Sequence, residues 1–189
     1  MTSSLVIEAF YDPTTFTYSY LLMDSGSLDA AVIDSVWDYD PKSGRTRTES
    51  AERLLERAQA LDANVRWHLE THVHADHLSA AQFLKHATGG LTAISSKVIS
   101  IQTVFGKIFN TEASLAADGS QFDRLLADGE SLPLGAFSID VIPTPGHTPA
   151  CVSYRINDGL VQHILVGDTL FMPDYGTARC HFPGGYATL

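Results

Sequence analysis

Seven consecutive residues, Thr71-His72-Val73-His74-Ala75-Asp76-His77, constrain this chain more than anything else in it. The sequence holds eight His and 15 Asp in 189 residues. Three His and one Asp at the spacing His-x-His-x-Asp-His would arise in a shuffled chain of this composition about once in a thousand. In an extended segment leaving a strand, His72 and His74 share a side, because residues two apart point the same way. Asp76 and His77 are expected at the start of the following helix, facing the same cavity. Imidazoles and a carboxylate crowded into one pocket favour a positive occupant, and a divalent metal ion meets that need. A purely structural account, with Asp76 as a helix cap and the histidines as surface groups, explains Asp76 alone.

The surrounding pattern reads as alternating strands and helices. Thr15 to Met23 and Ala30 to Asp34 have strand character, joined by the turn Asp24-Ser25-Gly26-Ser27. The segment Trp37 to Thr46 is rich in turn formers and is expected to be irregular. Thr48 or Ser50 can cap a helix running to about Leu61, with Leu54, Leu55, Ala58 and Leu61 along one stripe. A strand over Val65 to Glu70 delivers the chain into the His-rich segment, and Leu78 to Ala87 has helical spacing. Thr92 to Ser95 reads as a brief strand and Lys97 to Phe109 as a helix. Strands follow over Phe137 to Ile142, Cys151 to Ile156 and Val161 to Val166. Strands at both ends with helices between predict an α/β layered fold.

Two later segments share the character of the first. Thr144-Pro145-Gly146-His147-Thr148 places His147 just past a strand on a Pro-Gly turn, and Gly167-Asp168-Thr169 places Asp168 past the apolar strand Ile164-Leu165-Val166. Either alone is an ordinary turn residue. With the first motif, both become candidate ligands.

Composition narrows the function classes. Lys plus Arg is 12 and Asp plus Glu is 22, a formal charge of −10, which disfavours nucleic-acid backbones and anionic membrane surfaces as partners. The start has no basic segment, and its apolar run stops at Glu8. Two cysteines, Cys151 and Cys180, are too few for a disulfide framework and read as small apolar residues. A cytoplasmic location is the expectation. No repeat, low-complexity tract or linker divides the chain, so residues 1–189 are expected to form one domain.

Taken in order, Thr71 to His77, Pro145-Gly146-His147-Thr148 and Gly167-Asp168 resemble the motifs of the metallo-β-lactamase superfamily. The resemblance spans nearly the whole chain and implies an αββα sandwich with a metal site at one edge, between two sheets. Within that superfamily, the segments Asp34 to Thr46, Glu70 to Ser79 and Gly167 to Arg179 resemble the bacterial persulfide dioxygenases. That resemblance implies one Fe(II) per chain on His72, His147 and Asp168, a two-histidine, one-carboxylate triad that leaves positions for O2 and a thiol-type substrate. It implies oxidation of glutathione persulfide, or a similar thiol persulfide, to sulfite. His74, Asp76 and His77 would then orient and tune the centre. Arg179 is a candidate for pairing with a substrate carboxylate, or equally a surface ion pair, and Tyr175 is a weaker candidate of the same kind.

The glyoxalase II enzymes are the hydrolytic alternative. Similarity to them implies two zinc ions, with His72, His74 and His147 on one, Asp76 and His77 on the other, and Asp168 bridging. A nucleic-acid-processing member is disfavoured by charge and by the lack of basic runs. A metal-binding but inactive short relative is the non-enzymatic alternative. The stretch Arg179-Cys180-His181-Phe182-Pro183-Gly184-Gly185-Tyr186 departs from the family's usual Arg-x-Asp-Phe-Pro-Gly-Gly-Asp, with His181 in place of the acid. Related chains run some tens of residues further. This one is therefore expected to be shortened at its C-terminus, to hold metal more weakly, and to associate as a dimer through an unpaired sheet edge.

Overall fold

Neighbouring residues of a strand face opposite sides of its sheet, and here both sides are apolar. Leu22 faces a second sheet, while Leu21 and Met23 face helices. The computed structural model describes residues 3–111 and 114–171. Its elements run β1 (Leu5–Asp12), β2 (Thr17–Asp24), β3 (Asp29–Ile33), β4 (Val36–Asp40), β5 (Arg45–Arg47), α1 (Glu49–Ala60), β6 (Asn64–Leu69), β7 (Leu78–Ser79) and α2 (Ala81–Thr88). They continue with β8 (Leu91–Ser95), α3 (Val98–Phe109), β9 (Arg124–Leu126), β10 (Ser131–Leu134), β11 (Phe137–Pro143), β12 (Val152–Asn157), β13 (Gln162–Leu165) and a 3-10 turn at Gly167–Thr169.

Six strands form one sheet in the order β1-β2-β3-β6-β8-β9, antiparallel across β1 to β3 and parallel from β3 to β9. The antiparallel sheet β10-β11-β12-β13 packs on one face of it through Leu22, Ile33, Leu69, Leu132, Ile139 and Tyr154. On the other face, Leu54 and Ala58 of α1 and Leu84 of α2 pack against Leu21, Met23 and Val32. The Ala30 to Ile33 run is continuous and apolar because its sheet is covered on both faces. These are three of the four layers of the expected αββα sandwich.

Several boundaries differ from expectation. Trp37 to Thr46 is not irregular: β4 and β5 pair across Tyr39 and Thr46, and the turn formers are confined to the reversal between them. There the Asp40 carboxylate accepts from the Lys42 N–H at 3.0 Å and the Ser43 hydroxyl at 2.7 Å. Helix α2 begins at Ala81, not Leu78, because Leu78 and Ser79 pair with Trp37 and Val36 of β4. Asp76 and His77 therefore lie in the loop before β7, not at a helix start. Thr48 occupies the cap position of α1, but its hydroxyl donates to Glu52 at 2.7 Å instead of to the backbone. Strands β1, β9 and β10 were not expected.

Candidate metal centre

The parallel strands β3 and β6 end side by side, and the loops that follow their carboxyl ends converge, as is usual for ligand sites in such sheets. Asp34 follows β3 with φ +50, which turns its side chain back over the next strand end. Glu70 to His77 follow β6. From the second sheet, the loop after β11 carries His147, and the turn after β13 carries Asp168. The two sheets are tied here by Val152 N–H to the Thr71 carbonyl at 2.9 Å and by the Tyr154 hydroxyl to the Glu70 carbonyl at 2.8 Å. Gly167 has φ +49, and a Cβ built on it would sit 2.3 Å from the Thr71 hydroxyl oxygen. Only glycine lets this turn approach closely enough to bring Asp168 to the histidines.

The expected residues come together. His147 Nε2 is 3.5 Å, and His72 Nε2 is 3.9 Å, from Asp168 Oδ2. One donor atom from each of His72, His147 and Asp168 lies within 4.8 Å of the others, and the same holds for His72, His74 and Asp76. Among the described residues no such set contains His77. His77 instead pairs through Nδ1 with Asp76 Oδ2 at 3.3 Å, the oxygen that also accepts from the Thr17 hydroxyl at 3.0 Å. Cys151 is buried, with the Thr148 N–H 3.1 Å from its sulfur. Tyr175, Arg179, Cys180 and His181 lie outside the described residues.

Hydrogen bonding fixes which ring nitrogens are bare. Asp34 accepts from the Thr71 N–H and the Thr71 hydroxyl, both at 2.8 Å. That hydroxyl proton is therefore committed, and the oxygen can only accept from His72 Nδ1–H at 3.0 Å. His72 Nε2 is left as a lone pair, buried and without any partner. His74 is the reverse. Its Nε2 faces only carboxylate oxygens, Glu70 at 2.9 Å and Asp34 at 3.1 Å, so it must carry hydrogen. His77 Nδ1 faces Asp76, and its Nε2 is again buried and partnerless. Buried lone pairs of this kind, beside carboxylates, are the donor set of a transition-metal site, so these residues fit a bound metal ion.

The electrostatics agree. Burial, helped by neighbouring His74, pushes His72 down to about 3, so its ring stays neutral and available as a ligand. Burial also acts against a charged His74, but Asp34 and Glu70 outweigh it and hold His74 well above the ordinary imidazole range. Burial raises Asp34, yet His74 and the Thr71 bonds bring it below the usual carboxylate range. Burial raises Asp168. Asp34, Glu70, Thr71 and Thr17 had no assigned role in the sequence. The available signal for Asp34 was the one used for Asp168, an acid at the end of an apolar strand.

The sequence pattern of the metallo-beta-lactamase superfamily matches residues 13–188. A Burkholderia pseudomallei (strain 1710b) protein named "Probable metallo-hydrolase" is 61% identical, the match covering 97% of this chain and 64% of that protein. Glyoxylase B2 of Dictyostelium discoideum is 43% identical over 99% of this chain and 63% of its own length. The mitochondrial persulfide dioxygenase ETHE1 of Homo sapiens is 27% identical over 97% of this chain and 59% of its length. Among solved structures, ETHE1 from Myxococcus xanthus superposes with a TM-score of 0.69 at 25% identity, covering 95% of this chain and 64% of that one. The chain thus spans a little under two thirds of these relatives.

Proposed function

The chain belongs to the metallo-beta-lactamase superfamily, whose fold implies a metal held by His and Asp side chains, and from that premise we propose that it is a persulfide dioxygenase. The observation that carries this reading is the convergence of His72, His147 and Asp168, two imidazoles and one carboxylate, without a third histidine in the set. That composition suits non-heme iron with open positions. A ferrous ion bound there supplies the redox chemistry by which O2 oxidises a thiol-bound sulfur. The overall change is a persulfide plus O2 and water giving the thiol, sulfite and two protons, the outer sulfur losing four electrons to O2.

The chain's own residues do the rest. Asp34 and Thr71 hold the His72 ring with Nε2 toward the centre, and Asp76, fixed by Thr17 and His77, lines its other side. Enclosure of His72 keeps water from competing for its lone pair. Arg179 and Tyr175 are assigned to a carboxylate of the thiol carrier, which we take to be glutathione. Membership alone marks the chain as a superfamily enzyme of the metallo-hydrolase type. The 43% identity to a protein named Glyoxylase B2 favours a second reading, an acyl-glutathione thioester hydrolase with two zinc ions. In that case His74, Asp76 and His77 also become metal ligands.

Protein purified without oxygen, analysed for metals and then mixed with glutathione persulfide in an oxygen electrode, separates the two. About one iron per chain with O2 consumed and sulfite formed is the expected result. Two zinc ions, no O2 uptake and cleavage of S-lactoylglutathione would replace it with the hydrolase. Metal bound without either turnover would make the chain an inactive relative.

A further inference from the structure

The candidate ligands of the two sheets are held in different ways. On the first sheet, His72 Nδ1 is tied to the Thr71 hydroxyl, His74 Nε2 to Glu70 and Asp34, and Asp76 accepts from Thr17. The ligands of the second sheet have no such side-chain support among the described residues. The Asp168 carboxylate meets only His72 and His147, at 3.9 and 3.5 Å, and the His147 ring has no other hydrogen-bonding partner. Where these two side chains stand is therefore set by the backbone that carries them.

His147 rides on a loop closed at its neck, where the Thr144 N–H donates to the Cys151 carbonyl at 3.0 Å, and tightened inside by the Gly146 N–H on the Thr148 carbonyl at 3.1 Å. Asp168 rides on a separate turn, closed by the Thr169 N–H on the Val166 carbonyl at 3.0 Å. The two pieces meet through hydroxyls. Thr169, next to Asp168, donates its hydroxyl to the Thr144 oxygen at 3.0 Å. The Thr144 hydroxyl is in turn bonded to the Ser153 hydroxyl at 3.1 Å, and Ser153 is a buried residue of β12. Thr144 thus stands at the neck of one loop, reaches the other, and is anchored to the sheet between them. Neither piece can shift against the other without stretching this chain.

We infer that Thr144 is a positioning residue that locks the Asp168 turn to the neck of the His147 loop and so fixes the separation of these two ligands. Its role holds only if His147 and Asp168 share one ion, as they do in both the dioxygenase and the hydrolase readings above. It supplies for the second sheet what Thr71 and Asp34 supply for the first, orientation of a metal ligand by a group behind it.

Cobalt(II) added to metal-free protein serves as the probe, with affinity read by competition against a chromophoric chelator and ligand geometry by the visible absorption of the bound ion. Thr144→Val keeps the shape of the side chain and removes the hydroxyl, and Thr169→Val removes the same bond from its other end. Each is expected to weaken cobalt binding about 10-fold and to change the visible bands. The double variant is expected to be no weaker than either single one, because both break one clamp. Thr144→Ser, which keeps the hydroxyl, is expected to stay within about 3-fold of the unmodified protein. Losses that multiply to about 100-fold in the double variant would mean that the two hydroxyls act separately, and would overturn the clamp. Unchanged affinity and bands in both valine variants, with only resistance to urea reduced, would reduce Thr144 to a structural role. Asp168→Asn and His147→Ala test the premise apart from the clamp: cobalt binding as tight as in the unmodified protein would remove the shared ion itself.

Discussion

His68 in β6 and His72 just beyond it are each only 1% exposed, and each uses one ring nitrogen on a threonine while the other has no partner. His68 Nε2 lies 3.1 Å from the Thr88 hydroxyl, which donates onward to the Leu84 carbonyl, and 3.2 Å from the Gly89 carbonyl. His72 Nδ1 lies 3.0 Å from the Thr71 hydroxyl, which donates onward to Asp34. Burial lowers both, to about 4 and about 3. The difference lies beyond the rings. His68 is packed by the end of α2 near the Lys85–Asp123 ion pair, whose two charges act on it in opposite directions, whereas His72 Nε2 opens toward Asp168, with the rings of His74 and His147 centred 4.2 and 5.0 Å away. A partnerless buried imidazole nitrogen is therefore not by itself a metal signal. It becomes one when several converge on carboxylates.

The largest expected effect breaks the symmetry of that pair. His72→Ala should weaken zinc binding by at least about 100-fold, beyond the usual cost of losing a group behind a ligand, while His68→Gln should leave zinc binding within about 3-fold. Competition with a chromophoric chelator reads both, and a comparable loss in the two variants would mean that His68 belongs to the centre. Next comes acid stability of the metal-free protein. His68 is neutral when folded and has its pKa lowered to about 4, so the unfolded chain takes up the proton first. Stability is full above the unfolded pKa near 6.5 and is lost as pH falls from there toward 4. This one group should cost on the order of 2 kcal/mol by pH 4.5. Urea unfolding at pH 7 and pH 4.5 checks it, because His68→Gln should remove that part of the slope.

Much of this was legible from residue order. Apolar strand ends followed by His or Asp located His72, His147 and Asp168, and the alternating segments fixed the layered class. What escaped had physical causes. Strand β1 contains Glu8, which reads as a break but is satisfied by the Arg57 Nε at 2.7 Å from α1, a contact no local pattern reveals. Strands β4 and β5 are short and partly exposed, so pairing, not burial, makes them strands. Asp34 and Glu70 became functional candidates only when the ends of β3 and β6 were seen side by side. Their role depends on who accepts which hydrogen, and spacing in one dimension does not carry that.

The same substitution at the two threonines sharpens the comparison further. Thr71→Val removes the hydroxyl that accepts from His72 and donates to Asp34, leaving a buried acid with one donor fewer and an imidazole free to rotate. Zinc affinity should fall about 10-fold, the low end for an orienting group. Thr88→Val keeps volume in the same way and removes the hydroxyl beneath His68, but the Gly89 carbonyl remains to accept from Nε2. The cost should be about 1 kcal/mol of stability, the net value of one hydrogen bond, with zinc affinity unchanged. Chelator competition and urea unfolding on both variants give four numbers that should fall on opposite diagonals. If Thr71→Val were to lose stability alone, the Thr71 and Asp34 bonds would serve the strand end and not the imidazole, and His72 would owe its orientation to packing against His74 and His147.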